Sequence, residues 1–372
     1  MTEVEDDYSR EDSFVTLSSY ARPQPQGRNV LERMARDLWN KVRGSDSDAS
    51  TLLEGYTPIG SSEQKKVSPP PAYASLKHDL TLRMNSWLSN PDAAETTRLI
   101  IYPPTDNARF MRDWARERDV ILFDPPERKA FDTQVAERIA EVQREGVVVI
   151  PDLQRYFLRS VGHMDGIRRL LVAVCDTPYR VVLGCNSFGW QFLVKALDAQ
   201  HLLPTATVSQ AYNGEELRKW LHRSVRAGGY TVHGTDTGGD LFAEGNVGWF
   251  NRLSYLSYGI PWVAWAYWRR SLFVSPEGNP KQLWANMATP PAFPSNDARE
   301  SLLVLHALLV HGGMTGDDLA EVLPLAGEGT AVAMLRRRGF VEDVDGRWCV
   351  TPFGYPSVRA QLALAGYPGD GL

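Results

Sequence analysis

Hydrophobic and polar positions change period several times along the chain, and each change marks an element. From Leu76 to about Ala211, short β-branched runs alternate with stretches that are apolar at every third or fourth residue. Residues 98–102, 120–123, 146–152, 179–186 and 206–210 read as strands. Residues 76–88, 108–118, 131–145, 165–174, 189–197 and 214–225 read as helices. The runs at Val147 to Ile150 and Val181 to Leu183 are apolar at consecutive positions, a pattern that requires burial on both faces. This alternation predicts an α/β fold in which a parallel sheet carries helices on both faces.

The flanks follow other patterns. Residues 1–75 are polar and rich in Ser, Pro, Asp and Gln, and are expected to lack a packed core of their own and mostly to lack fixed structure. One island, residues 28–43, places Val30, Leu31, Met34, Leu38, Trp39 and Val42 at helical spacing. It predicts an amphipathic helix that docks on its own domain or on a partner. Residues 228–294 begin as a glycine-rich loop and continue as two aromatic helices, 249–258 and 261–273, that would form a small helical lid before a Pro- and Asn-containing connector. In residues 295–372, three helices (297–310, 315–323, 329–338) precede two short strands about Asp345-Gly346 and a closing helix at 355–364. That order is the winged-helix variant of helix-turn-helix. The implied domains are thus 1–75, 76–227, 228–294 and 295–372.

Composition narrows the functional classes. With 40 basic and 45 acidic residues the formal charge is −5, so no overall attraction to nucleic acid or anionic lipid is expected. Cys175, Cys185 and Cys349 have no CxxC pairing and no metal-ligand spacing with the histidines, and read as buried thiols of a reducing cytoplasm. His163 and Asp165 read as a surface turn rather than a metal site. The glycines of 228–245 do not form GxGxxG after a strand. No apolar run reaches the roughly 18 residues of a bilayer span, and the acidic N-terminus is unlike a leader. A cytoplasmic location follows as the expectation, and docking on a membrane protein is compatible with it.

The candidate chemistry lies where the first strand meets the first following helix. Tyr102 to Arg109 has the position of a phosphate-binding loop, which needs glycines whose amides wrap the phosphates, a lysine and a magnesium-binding hydroxyl. Tyr102 and Asn107 stand at the two glycine positions, and Ala108 and Arg109 at the lysine and hydroxyl positions. Asp152 ends an apolar strand as a magnesium-binding carboxylate would, but Leu153 follows it instead of an acidic residue. Asn186 ends the next strand. Cys185-Asn186-Ser187-Phe188-Gly189 is one glycine short of the GxSxG nucleophile elbow, and no acid and histidine follow in a recognisable setting.

Together with Gly259-Ile260-Pro261 and the terminal winged helix, these marks over residues 76–370 resemble the AAA+/STAND group of P-loop ATPases, in degenerate form. The resemblance implies a P-loop NTPase-like core and a relic nucleotide site made of Thr105, Asp106, Asn107, Arg109, Asp152, Asn186, Gly259 and Pro261. It implies assembly with an active ATPase relative or with a copy of the chain itself. With the lysine, the glycines and the second acid all absent, the expectation is a catalytically inactive scaffold or regulatory subunit without a cofactor. Two alternatives stay open. One is a divergent nucleotide switch that binds ATP or ADP with Mg, uses Arg109 or Arg112 for the lysine and Asp152 for the metal, and hydrolyses weakly. The other is a DNA-binding regulator using Arg336, Arg337, Arg338 and Arg347, disfavoured by the acidic residues Glu342, Asp343 and Asp345 beside them.

Overall fold

The computed structural model describes residues 13–24, 55–90, 95–105, 109–125, 146–160, 162, 164–235, 238–276, 278–294, 298–324 and 330–372. Five strands, β3 (Thr97–Tyr102), β4 (Ile121–Leu122), β5 (Val147–Ile150), β6 (Arg180–Asn186) and β7 (Thr207–Ser209), run parallel in the spatial order β7-β3-β6-β5-β4. The α/β class read from the alternation is therefore present. After β3 the chain leaves toward the β4 edge; after β6 it leaves toward β7. Connections that depart in opposite directions open a crevice at the carboxyl ends of β3 and β6, where α/β sheets place ligands.

The period of two along each strand divides the core. Leu99, Ile101, Val148, Ile150, Val181 and Leu183 pack with α4 (Asp165–Asp176) and α5 (Ser187–Leu197). Ile100, Tyr102, Val149 and Val182 pack on the opposite face with α2 (Ala74–Leu88) and α3 (Arg109–Glu117). Gly184 in the central strand allows this closeness: a Cβ there would lie 2.4 Å from the Pro151 carbonyl oxygen and 2.5 Å from Met111 Sδ.

Residues 13–24 and 55–75 carry ordered elements within the stretch whose composition predicts mostly unfixed structure. β1 (Phe14–Thr16) pairs antiparallel with β7 and extends the main sheet, with Phe14 only 2% exposed. β2 (Thr57–Pro58) and α1 (Ser61–Val67) are also built on to the rest of the chain. A three-residue strand has no period to detect, and its partner's free hydrogen-bonding edge is what selects it. The amphipathic stretch 28–43 and the helix at 131–145 lie outside the described residues.

A second correction concerns residues 228–294. α7 (Val247–Leu256) and α8 (Pro261–Arg270) are present, but β8 (Thr231–Gly234), β9 (Leu272–Val274) and β10 (Gln282–Ala285) join β2 in a four-stranded sheet of order β2-β9-β10-β8. The helix expected over 261–273 stops at Arg270, and its last residues become strand β9. This unit is not a purely helical lid. Asn213 and Glu216 form a reciprocal capping box that starts α6 (Gly214–Ala227).

The C-terminal segment contains α9 (Ala298–His311), α10 (Gly316–Val322), α11 (Thr330–Arg337), the hairpin β11 (Val341–Val344) and β12 (Arg347–Val350), and α12 (Tyr355–Leu364). Asp345 and Gly346 have φ of 53° and 77°, the left-handed pair that a two-residue hairpin turn requires. α9 packs on α5, and its buried residues continue the main core. Of the three cysteines, Cys185 is buried, Cys349 is partly covered and Cys175 is exposed. Cys175 departs from the buried reading because it lies near the end of α4, where its thiol reaches the Leu202 carbonyl at the surface.

The α9–core junction makes stability depend on pH. His306 is 5% exposed, and its Nδ1 lies 2.8 Å from Arg159 Nη1. Burial first, then the Arg159 and Lys195 charges, push its pKa down to about 4. The folded state holds this ring neutral, so its stability is fully present above the unfolded value near 6.5 and is lost as pH falls toward 4. Denaturant titrations at pH 7, 5 and 4 should show a loss of about 3 kcal/mol attributable to this group. His306→Gln should flatten that part of the profile; an unchanged slope would disprove the assignment.

Candidate functional site

Three parallel strands deliver their last residues to the crevice: Tyr102 from β3, Pro151 and Asp152 just after β5, and Asn186 from β6. Tyr102 is fully buried. Its hydroxyl lies 2.8 Å from Asp152 Oδ1 and 3.0 Å from the Pro151 carbonyl oxygen, and it accepts from Gln154 Nε2 at 2.8 Å. Gln154 Nε2 also donates to Asp152 Oδ1 at 3.0 Å. The other carboxylate oxygen, Oδ2, is ion-paired with the Arg112 guanidinium, which projects from α3 and also pairs with Asp124. Asp152, 3% exposed, is engaged at both oxygens by side chains of its own fold.

Electrostatics keep the phenol, the thiol and the guanidinium of this arrangement protonated. Burial, then the negative charge of Asp152 and the nearby Cys185, push the Tyr102 phenol well above its ordinary range, so it remains a protonated donor. Burial pushes the Cys185 thiol up as well, with Asp152 adding to the effect. For Arg112, burial acts to lower the pKa, but Asp152 and Asp124 outweigh it and the group stays charged.

Asn186 is committed too. Its Oδ1 accepts from the Gly189 amide at 2.6 Å as the N-cap of α5, and its Nδ2 donates to the Leu309 carbonyl at 3.0 Å. Its own amide donates to Gln154 Oε1 at 3.0 Å. The side chain that the resemblance places beside a phosphate therefore ties α5 to α9. Ser187 is fully buried, and among the described residues its Oγ has no hydrogen-bond partner, so no described base is placed to activate the serine of the imperfect elbow.

The remaining relic residues lie elsewhere. Thr105 and Arg109 line a separate cavity of about 360 Å³ with α8 and the β11–β12 hairpin, and neither Asp152 nor Asn186 reaches it. Asp106 and Asn107 lie outside the described residues. Gly259 has φ +66°, and a Cβ on it would stand 2.6 Å from the Tyr212 carbonyl oxygen. Its own carbonyl accepts from the Tyr212 amide at 2.9 Å, and Pro261 opens α8 two residues later. The Gly-x-Pro segment thus seats α8 on the stretch that follows β7.

The four arginines proposed for nucleic acid are also divided. Arg336, Arg337 and Arg338 are exposed, with the Arg336 guanidinium 5.5 Å from the Trp348 ring centre. Arg347 is drawn inward, where it donates to the Gly313 carbonyl and lies 3.9 Å from Asp318. Among the described residues no three His, Cys, Asp or Glu side chains gather as metal ligands would.

Sequence reasoning missed Gln154 and the true partner of Arg112. A signal was available: a bulky phenol at a glycine position beside a buried acid requires that acid to be hydrogen-bonded.

No family model matches the chain, and no curated protein does. Solved structures similar to it include the Walker-type ATPase paby2304 of Pyrococcus abyssi, with 12% identity, 77% of this chain and 95% of that chain covered, and a TM-score of 0.33. A RuvB mutant of Thermotoga maritima has 12% identity, coverage of 83% and 96%, and a TM-score of 0.31. Cdc6p of Pyrobaculum aerophilum has 14% identity, coverage of 84% and 100%, and a TM-score of 0.28. Superpositions this loose leave the architecture to be read from the sheet itself.

Proposed function

We propose that this chain is a catalytically inactive, P-loop ATPase-like protein of STAND type with a C-terminal winged helix, working in the cytoplasm as a scaffold or regulatory subunit. One observation carries the reading: both oxygens of Asp152 are engaged by Arg112, Tyr102 and Gln154. A magnesium ion at that carboxylate would have to displace the Arg112 guanidinium, leaving it only Asp124, and break the hydrogen bonds from Tyr102 and Gln154. Phosphoryl transfer depends almost wholly on positioning and electrostatic stabilisation, and here the carboxylate, the asparagine and the nearest arginine all serve the fold. The same ion pair weighs against Arg112 as a substitute for the missing lysine. The partner class this reading favours is an active ATPase relative or a second copy of the chain.

Incubation of the purified protein with Mg-ATP should release no phosphate above buffer, and Asp152→Asn should leave that background unchanged. Turnover abolished by Asp152→Asn would overturn the proposal.

A further inference from the structure

The outward face of α4 combines exposed apolar groups with charges of both signs. Arg168, Arg169, Val172, Cys175 and Asp176 are all exposed, and their spacings of three and four residues put them on one side of the helix. Val172, at the middle of this face, is 49% exposed. The Cys175 thiol, one turn further on, donates to the Leu202 carbonyl at 3.1 Å. That contact brings in Leu202, 43% exposed, from the helical turn Ala199–Leu202. Burial, then the Asp176 charge, push the Cys175 thiol up, so it stays neutral and belongs to the apolar part of the patch.

The order of charges makes this face complementary to itself. Its N-terminal half carries Arg168 and Arg169, and its C-terminal half ends in Asp176. Arg168 stands four residues before Val172 and Asp176 four residues after it. A copy of the helix laid antiparallel, with a two-fold axis through Val172, therefore sets each Arg168 opposite Asp176 of the second copy. The same operation brings Val172 against Val172 and sets Arg169 opposite Cys175 of the second copy. A parallel copy would instead align like charges. The partner of Arg168 within the helix, Asp165 at 3.9 Å, does not prevent this: the two side chains are 61% and 74% exposed, and an ion pair so open to water contributes little.

We propose that the α4 face is the docking surface for a second copy of this chain, paired antiparallel about Val172 as a two-fold dimer. Val172, Cys175 and Leu202 form the dry centre of the contact, and the arginine–aspartate pairs form its rim. Because the same patch is used on both copies, the contact closes on itself and produces dimers rather than an open filament. A contact centred on one helix face belongs to the small, transient class. The proposal shares with the scaffold reading its choice of a second copy as partner, but it uses no residue of the crevice and does not depend on the inactivity argued above.

The test is sedimentation equilibrium of the full chain under reducing conditions, from micromolar to submillimolar concentration, where a reversible monomer–dimer equilibrium is expected. Val172→Glu should weaken dimerisation about tenfold or more and, at an exposed position, leave the monomer folded by circular dichroism. Arg168→Glu and Asp176→Arg should each weaken it, and the two combined in one chain should restore it, because opposite charges again face each other across the axis. The register has its own readout. With Cys175→Ser in place, Val172→Cys should oxidise to a disulfide-linked dimer, since helices packed about 8–10 Å apart bring facing Cα atoms on the axis within disulfide range. The native Cys175 should not link, because it lies about 9 Å along the helix axis from Cys175 of the second copy. A chain that stays monomeric, a dimer indifferent to Val172→Glu, or a charge swap without rescue would overturn the proposal. A dimer whose ATP turnover is abolished by Asp152→Asn would overturn only the inactive-ATPase reading.

Discussion

Replacing Arg112 with alanine is expected to destabilise the protein by about 3–5 kcal/mol, because it leaves the Asp152 carboxylate buried without its counter-charge. The Arg112 and Asp152 side chains are 16% and 5% exposed, so water cannot take over the lost partner without opening the junction of α3 and β5. Asp152→Asn should cost less. The amide oxygen can still accept from Tyr102 and Gln154, although Arg112 then keeps only Asp124. The double variant Arg112→Ala with Asp152→Asn should lose less than the sum of the two single losses, because it removes both ions together. Denaturant unfolding of the four proteins at pH 7 measures this coupling. Additive losses would mean that the ion pair does not hold the crevice closed.

The second large effect is expected at the C-terminal end of the described chain. Asp370 is 2% exposed; its Oδ1 lies 2.7 Å from Arg359 Nη2, and its Oδ2 accepts from the buried Tyr355 hydroxyl at 3.0 Å. Arg359 stacks 4.1 Å from the Tyr258 ring centre and also donates to the Leu372 carbonyl. One guanidinium thus joins α12, the residues after it and the turn between α7 and α8. Arg359→Ala should cost about 3–5 kcal/mol, for the same reason as Arg112→Ala. Tyr355→Phe, which removes one hydrogen bond and keeps the ring, should cost about 1–2 kcal/mol. Thermal and denaturant unfolding check both. A loss for Arg359→Ala no larger than for Tyr355→Phe would show that the buried charge pair is not what holds this end.

Much of the main sheet was legible because its strands are buried on both faces. Val147 to Ile150 and Val181 to Leu183 have no polar interruption, and only a parallel sheet between helical layers supplies two apolar faces. The hairpin at Asp345-Gly346 was legible for a different reason, since its turn type demands residues that tolerate positive φ. The second sheet was not legible: β8, β9 and β10 are three or four residues long, and β2 lies far away in sequence. Such strands are selected by pairing partners brought together from distant positions. Nor could the chain alone show that Thr105 and Arg109 separate from Asp152 and Asn186. That separation depends on the side chains of Tyr102 and Trp262 and on where α8 comes to rest.

By itself the sequence determined the parallel strands of the main sheet, α3 to α6 and the described elements of 298–364, and which residues of a phosphate-binding loop are absent, since these are local consequences of residue type and period. Only the tertiary structure decided what the surviving polar residues do. Asp152, Arg112, Tyr102 and Gln154 come from three separated segments, and burial makes each dependent on the others for hydrogen bonds that water would otherwise supply. Arg109, Arg269 and Arg270 line one cavity only when the start of α3, α8 and the hairpin are packed together. A missing lysine can be read one residue at a time, whereas a carboxylate's partner and a cavity's charge are properties of the packed chain.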